Sequence, residues 1–177
     1  TQGDFGVVGT TLSPYQIIPG GPVSYDINPL YMRTSATGLP VGAAAYPTFG
    51  ANNRRAVETG DGMTLLPLST SVVLSGFTDY AVPGPVTITG THMIKVNALT
   101  GAPTGMTRYH NFFNGYAAMT TDRATGDVVV AGAIQNLTTV SVPVIASLLR
   151  VDSGTGALVW NRGYFHAGGN STTASGV

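Results

Sequence analysis

The stretch TTDRATGDVVVAGAIQN, residues 120–136, reads as two short strands joined by a tight turn. Its apolar part, Val128-Val129-Val130, is β-branched throughout and is bounded by Gly126-Asp127 and Ala131-Gly132, which is the composition of a buried strand. The pattern returns at Gly3-Asp4-Phe5-Gly6-Val7-Val8-Gly9 and, more loosely, at Thr70-Ser71-Val72-Val73-Leu74-Ser75-Gly76. If these are copies of one unit, the residues around them must repeat as well.

They do. Downstream of each copy lie LYMRTSATG (30–38), HMIKVNALTG (92–101) and SLLRVDSGTG (147–156). Each holds an apolar pair, then Arg33, Lys95 or Arg150, then a turn closing on Thr-Gly, where Gly38, Gly101 and Gly156 supply the positive φ of a tight hairpin. A third element ends on Tyr46, Tyr109 or Tyr164, in every copy eight residues beyond the turn glycine. A fourth element precedes the opening pattern: Gly62-Met63-Thr64-Leu65-Leu66 before the second copy and Ala118-Met119-Thr120-Thr121 before the third. The unit therefore has four strands, a to d, and recurs about every 55–65 residues, the signature of a propeller. No segment sustains a helical period, and Gly or Pro interrupts nearly every window.

The expected fold is all-β: three consecutive four-stranded antiparallel blades of a β-propeller, part of a larger propeller or completed by oligomerisation. Blade 1 covers about residues 1–46 without its first strand, blade 2 about 62–110 and blade 3 about 117–165. Residues 171–177 begin a further blade, with Gly176-Val177 in the places of Gly62-Met63. A closed propeller has about 4–8 blades, and an open arc would expose apolar sheet faces. Three remedies are open: a longer polypeptide, a second copy closing a ring of about six blades, or neighbouring subunits over the faces. The stop inside a strand favours the first.

The blade AAMTTDRATGDVVVAGAIQN…ASLLRVDSGTGALVWNRGYF resembles the β-propeller repeats called SBBP repeats and, more loosely, quinoprotein (PQQ-type) blades. That resemblance covers nearly the whole chain as a pattern. It implies an extracellular, cell-surface or periplasmic protein used for structure or interaction. The long b–c insertions and the sparse charge depart from it.

Composition narrows the function classes. Charged residues make up 9 % of the chain, against about 25 % in ordinary domains, and eight basic residues balance eight acidic ones. Nothing here forms the basic patch of a nucleic-acid binder, and no run approaches the roughly 18 apolar residues of a membrane span. With no cysteine, disulfides and thiolate metal sites are excluded. A low-charge surface suits a subunit covered by neighbours.

Candidate functional residues fall on connections. The b–c segments, Thr10 to Pro29, Thr78 to Gly90 and Ile134 to Pro143, read as long loops on one rim, with Tyr15, Tyr25, Tyr80, Phe112 and Phe113 as interaction candidates. The d–a segment ANNRRAVETGD adds Arg54 and Arg55, beside Glu58 and Asp61. Asn136-Leu137-Thr138 and Asn170-Ser171-Thr172 are sequons, which makes Asn136 and Asn170 glycosylation candidates in a secreted eukaryotic protein. Asp122, Asp127 and Asp152 read as turn formers, too few for a calcium loop. His92, His110 and His166 are scattered and lack clustered carboxylates, so no catalytic, cofactor or metal site is expected. The repeated base at Arg33, Lys95 and Arg150 is expected to hydrogen-bond a neighbouring turn. Trp160, Tyr46, Tyr109 and Tyr164 are expected to pack a blade edge or a subunit contact, with sugar stacking as the alternative. The function expected is a non-enzymatic structural and interaction module, its partners being other chains or further blades. The alternatives are a glycan-binding propeller, or part of a secreted oxidoreductase or hydrolase whose chemistry lies outside these residues.

Overall fold

The computed structural model of the chain describes residues 4–15, 24–46, 56–67, 69–81, 87–110, 118–134 and 145–164. All regular structure among them is β. The strands are β1 (Phe5–Tyr15), β2 (Ser24–Thr34), β3 (Pro40–Ala45), β4 (Ala56–Glu58), β5 (Gly62–Leu65), β6 (Ser71–Ala81), β7 (Thr87–Asn97), β8 (Pro103–His110), β9 (Ala118–Thr121), β10 (Val128–Ile134), β11 (Ile145–Val151) and β12 (Leu158–Tyr164).

Three antiparallel groups result: β1–β2–β3, then β5–β6–β7–β8, then β9–β10–β11–β12, each pairing neighbours in chain order. The short β4 joins the first two groups, antiparallel to β6 (Val57↔Asp79) and parallel to β2 at Ile27↔Val57. β1–β3 lie within residues 1–46, β5–β8 within 62–110 and β9–β12 within 117–165, while β4 falls between the first two spans.

Why the groups lie against each other follows from the apolar runs. A strand with one solvated face alternates apolar and polar residues, whereas a run such as Val72-Val73-Leu74 must be covered on both sides. These residues are 4 %, 5 % and 0 % exposed. Val72 and Leu74 join Tyr31, Tyr46, Ile94 and Val96 in a core against the first group. Val73 joins Leu66, Met93, Val128, Val130, Leu149 and Val151 in a core against the third. Each fully buried aliphatic side chain contributes about 1.5–3 kcal/mol, so the middle group is held from both faces.

The turns repeat as closely as the strands. Asn97, Asp122 and Asp152 each open a turn in which the backbone carbonyl accepts from the glycine N–H four residues on, Gly101, Gly126 and Gly156. The side-chain oxygen accepts in turn from the N–H of Leu99, Ala124 or Gly154. The threonine before each glycine accepts from the N–H two residues later, at Ala102, Asp127 or Ala157. The glycines have φ of 71°, 78° and 73°, so the left-handed position read from Thr-Gly is present. Gly38, φ 80°, closes the first group's turn one residue sooner, from Ser35.

Two expectations need correction. The b–c segments of the first two units are not long loops. β1 and β2 stay in register out to Tyr15↔Ser24, and β6 and β7 out to Ala81↔Thr87. Threonines and tyrosines in these segments favour the extended backbone, and proline is tolerated on the edge strand β1. The d–a segment is likewise not all loop, since Ala56–Glu58 forms β4.

Between β4 and β5, Thr59–Asp61 bends against β6. Thr59 N–H donates to Phe77 O at 3.0 Å and Asp61 N–H to Ser75 O at 2.8 Å. The bend brings the Thr59 carbonyl onto Gly76, where a β-carbon would collide with it. The aligned Gly9 has nothing within 4 Å of that position. Gly76→Ala is therefore expected to lower unfolding free energy by about 1–3 kcal/mol through overpacking, whereas Gly9→Ala should stay within about 0.5 kcal/mol. Paired urea denaturation of the two variants checks this.

Candidate functional site

Among the described residues, the seams between strand groups gather polar side chains whose partners lie far away in sequence. At the first seam, Arg33 on β2 donates from Nη1 to Leu99 O at 2.7 Å, in the turn after β7. Tyr31, two residues earlier on the same face, donates its hydroxyl to Ala98 O at 2.8 Å. Tyr46, just beyond β3, donates to Gly101 O at 2.8 Å. At the second seam, Lys95 on β7 donates from Nζ to Ser153 O at 2.9 Å, in the turn after β11. A base on β2 and another on β7 thus each reach the hairpin turn of the next group. The expected bond to a neighbouring turn is present at both positions.

Arg150, the third base of the series, holds its own group's first turn. Its Nε donates to Asp127 Oδ2 at 2.8 Å and its Nη2 to Thr125 Oγ1 at 2.9 Å, with Asp122 3.6 Å away. Arg33 has the counterpart pairing with Asp4, at 3.7 Å. The first-turn acids therefore face guanidinium groups.

Burial sets the protonation of the seam. It pushes the Tyr46 hydroxyl up to about 12, with Tyr31 beside it adding to the rise. Tyr31 is raised by burial too, against the opposing influence of Arg33. Both rings stay neutral donors across the physiological range. Asp152 is held below the usual carboxylate range, first by the Thr155 hydroxyl and then by the Thr155 N–H. Asp122 is lowered first by the Ala124 N–H. These are the shifts of turn carboxylates accepting local hydrogen bonds.

Each seam also leaves a groove. One of about 290 Å³ is lined by Asp4, Phe5, Arg33, Met63 and Leu99, and one of about 300 Å³ by Met93, Lys95, Thr104, Asp152 and Thr155. Each pairs one cation with turn backbone. Among the described residues, no three His, Cys, Asp or Glu side chains gather as a metal-binding group, and no helix is long and apolar enough to cross a membrane.

The residues singled out on the b–c rim come together only in part. Tyr15 and Tyr25 sit at adjoining register positions at the ends of β1 and β2. Tyr80 lies across β4, paired with Ala56. Arg54, Arg55, Phe112, Phe113, Asn136 and Asn170 lie outside the described residues, as does His166. Asp61 accepts from the Thr59 hydroxyl at 2.7 Å and the Phe77 N–H at 3.3 Å, and so shapes the bend before β5. Tyr46 is buried in the first seam, while Tyr164 is 48 % exposed. Trp160 carries the Arg162 guanidinium 5.5 Å from its ring centroid. Asp26, Asn28 and His92 are almost fully buried, and none of the three was anticipated as a buried group.

No family model matches the chain, and no curated protein matches it.

Replacing Tyr46 by Phe removes one buried donor from Gly101 O and is expected to cost about 1 kcal/mol. The folded hydroxyl titrates above its ordinary value of 10.0, at about 12. Its contribution is therefore complete below pH 10 and lost as pH rises toward 12. Denaturation measured from pH 8 to 12 should show a steeper loss in the wild type than in Tyr46→Phe.

Proposed function

We propose that the three strand groups are successive blades of a β-propeller and that the chain is a non-enzymatic structural and interaction module of an extracellular or cell-surface assembly. The observation that carries this reading is the forward reach of Arg33 to Leu99 O and of Lys95 to Ser153 O. Two of the three repeated bases thus join one strand group to the next. The inner-strand contact supports the same arrangement. Thr64 and Thr121, on β5 and β9, share a hydroxyl hydrogen bond of 2.9 Å, and Thr121 also donates to Leu65 O. First strands of adjacent units that meet in this way are what blades around a common axis require. The resemblance to SBBP-type repeats and the sparse charge agree with a surface assembly.

The two seam grooves, each with one cation beside turn backbone, favour glycan binding as the second reading. Both readings are tested on the purified chain with a glycan array and panels of hydrolase and oxidoreductase substrates. The structural reading expects no turnover and no glycan retained above background. It also expects Lys95→Met, which keeps the aliphatic stem, to speed amide exchange in residues 152–156 of the next unit. Turnover would overturn it, as would selective retention of one glycan that Lys95→Met abolishes.

A further inference from the structure

Aligned positions in the three units differ sharply in exposure, and the difference has a direction. On the second strand, Val72 and Leu74 are 4 % and 0 % exposed, and Val128 and Val130 are 1 % and 0 %. Each pair is covered by the preceding group. The same two positions in the first group are Phe5 and Val7, which are 57 % and 42 % exposed. The first group thus presents outward an apolar face of the kind that is buried at both internal seams. Its hairpin turn, with Ala36, Thr37 and Gly38 exposed, corresponds to the turns that accept from Arg33 and Lys95.

The third group presents the complementary half. Leu149 and Val151 face the second group, so by strand alternation Leu148 and Arg150 face away from it. Arg150 occupies the position of Arg33 and Lys95. Its Nε and Nη2 are engaged with Asp127 and Thr125, which leaves Nη1, the nitrogen through which Arg33 reaches Leu99 O. Tyr164 occupies the position of Tyr46. The earlier tyrosine is buried against the next group's turn, whereas Tyr164 is half exposed.

We propose that these two outer faces are the halves of one head-to-tail interface, and that a second copy of this chain occupies it. The third group of one copy, through Arg150 and Tyr164, receives the 35–38 turn and the Phe5–Val7 face of the other. A heterologous contact must close or propagate. Two copies joined twice contain about six units, within the roughly 4–8 that close a propeller, so the structure points to a closed pair. This deepens the reading of the chain as an interaction module and rests on it, with the chain's own fold as the partner.

Sedimentation over a wide concentration range tests the proposal. The wild type should form a discrete two-copy particle. Phe5→Glu on one face, or Tyr164→Glu on the other, should weaken association at least about tenfold, since a buried charge removes a central contact. Both positions are exposed in the single chain, so each variant should keep the wild-type circular dichroism and melting profile of the isolated chain. Arg150→Met is the second variant of the tail face and should act in the same direction. An equimolar mixture of Phe5→Glu and Tyr164→Glu should recover a two-copy species, because one of its two interfaces is then undamaged. A wild type that stays monomeric at all concentrations overturns the proposal, as does association indifferent to both substitutions or a mixture with no recovery. Such results leave the scaffold reading intact, which falls instead to turnover or glycan retention in the panels above.

Discussion

Burial of the middle strands on both faces is the constraint from which the rest of this structure follows. Val72, Val73 and Leu74 are consecutive, and their side chains alternate between the two sides of the sheet. One sheet packed against a single partner would leave either Val73 or the flanking pair in water. Sandwiching the second group between the first and the third removes all three from solvent. The result is a stack in which each group depends on the next, and cores form at the seams.

Close stacking imposes a second requirement. Hairpin turns carry carbonyl groups, and a turn pressed against a neighbouring sheet must find donors for them. Tyr31, Arg33 and Tyr46 supply them at the first seam and Lys95 at the second. Two of these donors are tyrosines that bury an apolar ring and offer one polar tip, which suits a seam mostly lined by aliphatic residues. One base per unit beside a turn accounts for three of the chain's eight basic residues.

The strand order was legible because each strand carries its own signal: β-branched runs, a base, a turn closing on Thr-Gly, and a terminal tyrosine at constant spacing. The role of Arg33 and Lys95 was legible for a related reason, since a residue type repeated at equivalent positions serves the repeat itself. The b–c segments misled because Pro, Gly and Ser in SPYQIIPGGPVSYDINP resemble loop composition. In the structure, Ser13 and Pro14 pair with Asp26 and Tyr25. Register continues there because tertiary pairing outweighs the local propensity of single residues. Asp26 and Asn28 were not legible as buried groups, since a polar residue in a strand reads as solvent-facing until the cover over it is known. The tight contact at Gly76 depends on a bend at Thr59–Asp61 that lies 15 or more residues earlier in the chain. No local pattern encodes it.

The central claim is that consecutive strand groups stack with their first strands side by side, and cross-linking measures it directly. Thr64 and Thr121 bring their hydroxyls to 2.9 Å, and the chain has no cysteine to compete. A disulfide needs β-carbons about 3.5–4.5 Å apart, which neighbouring residues with touching hydroxyls can meet. The double variant Thr64→Cys, Thr121→Cys should therefore oxidise rapidly and completely within one chain under native conditions, with a melting temperature no lower than that of its reduced form. Two thiols that stay free under native conditions, and pair only after the chain is unfolded, would contradict the stacked arrangement.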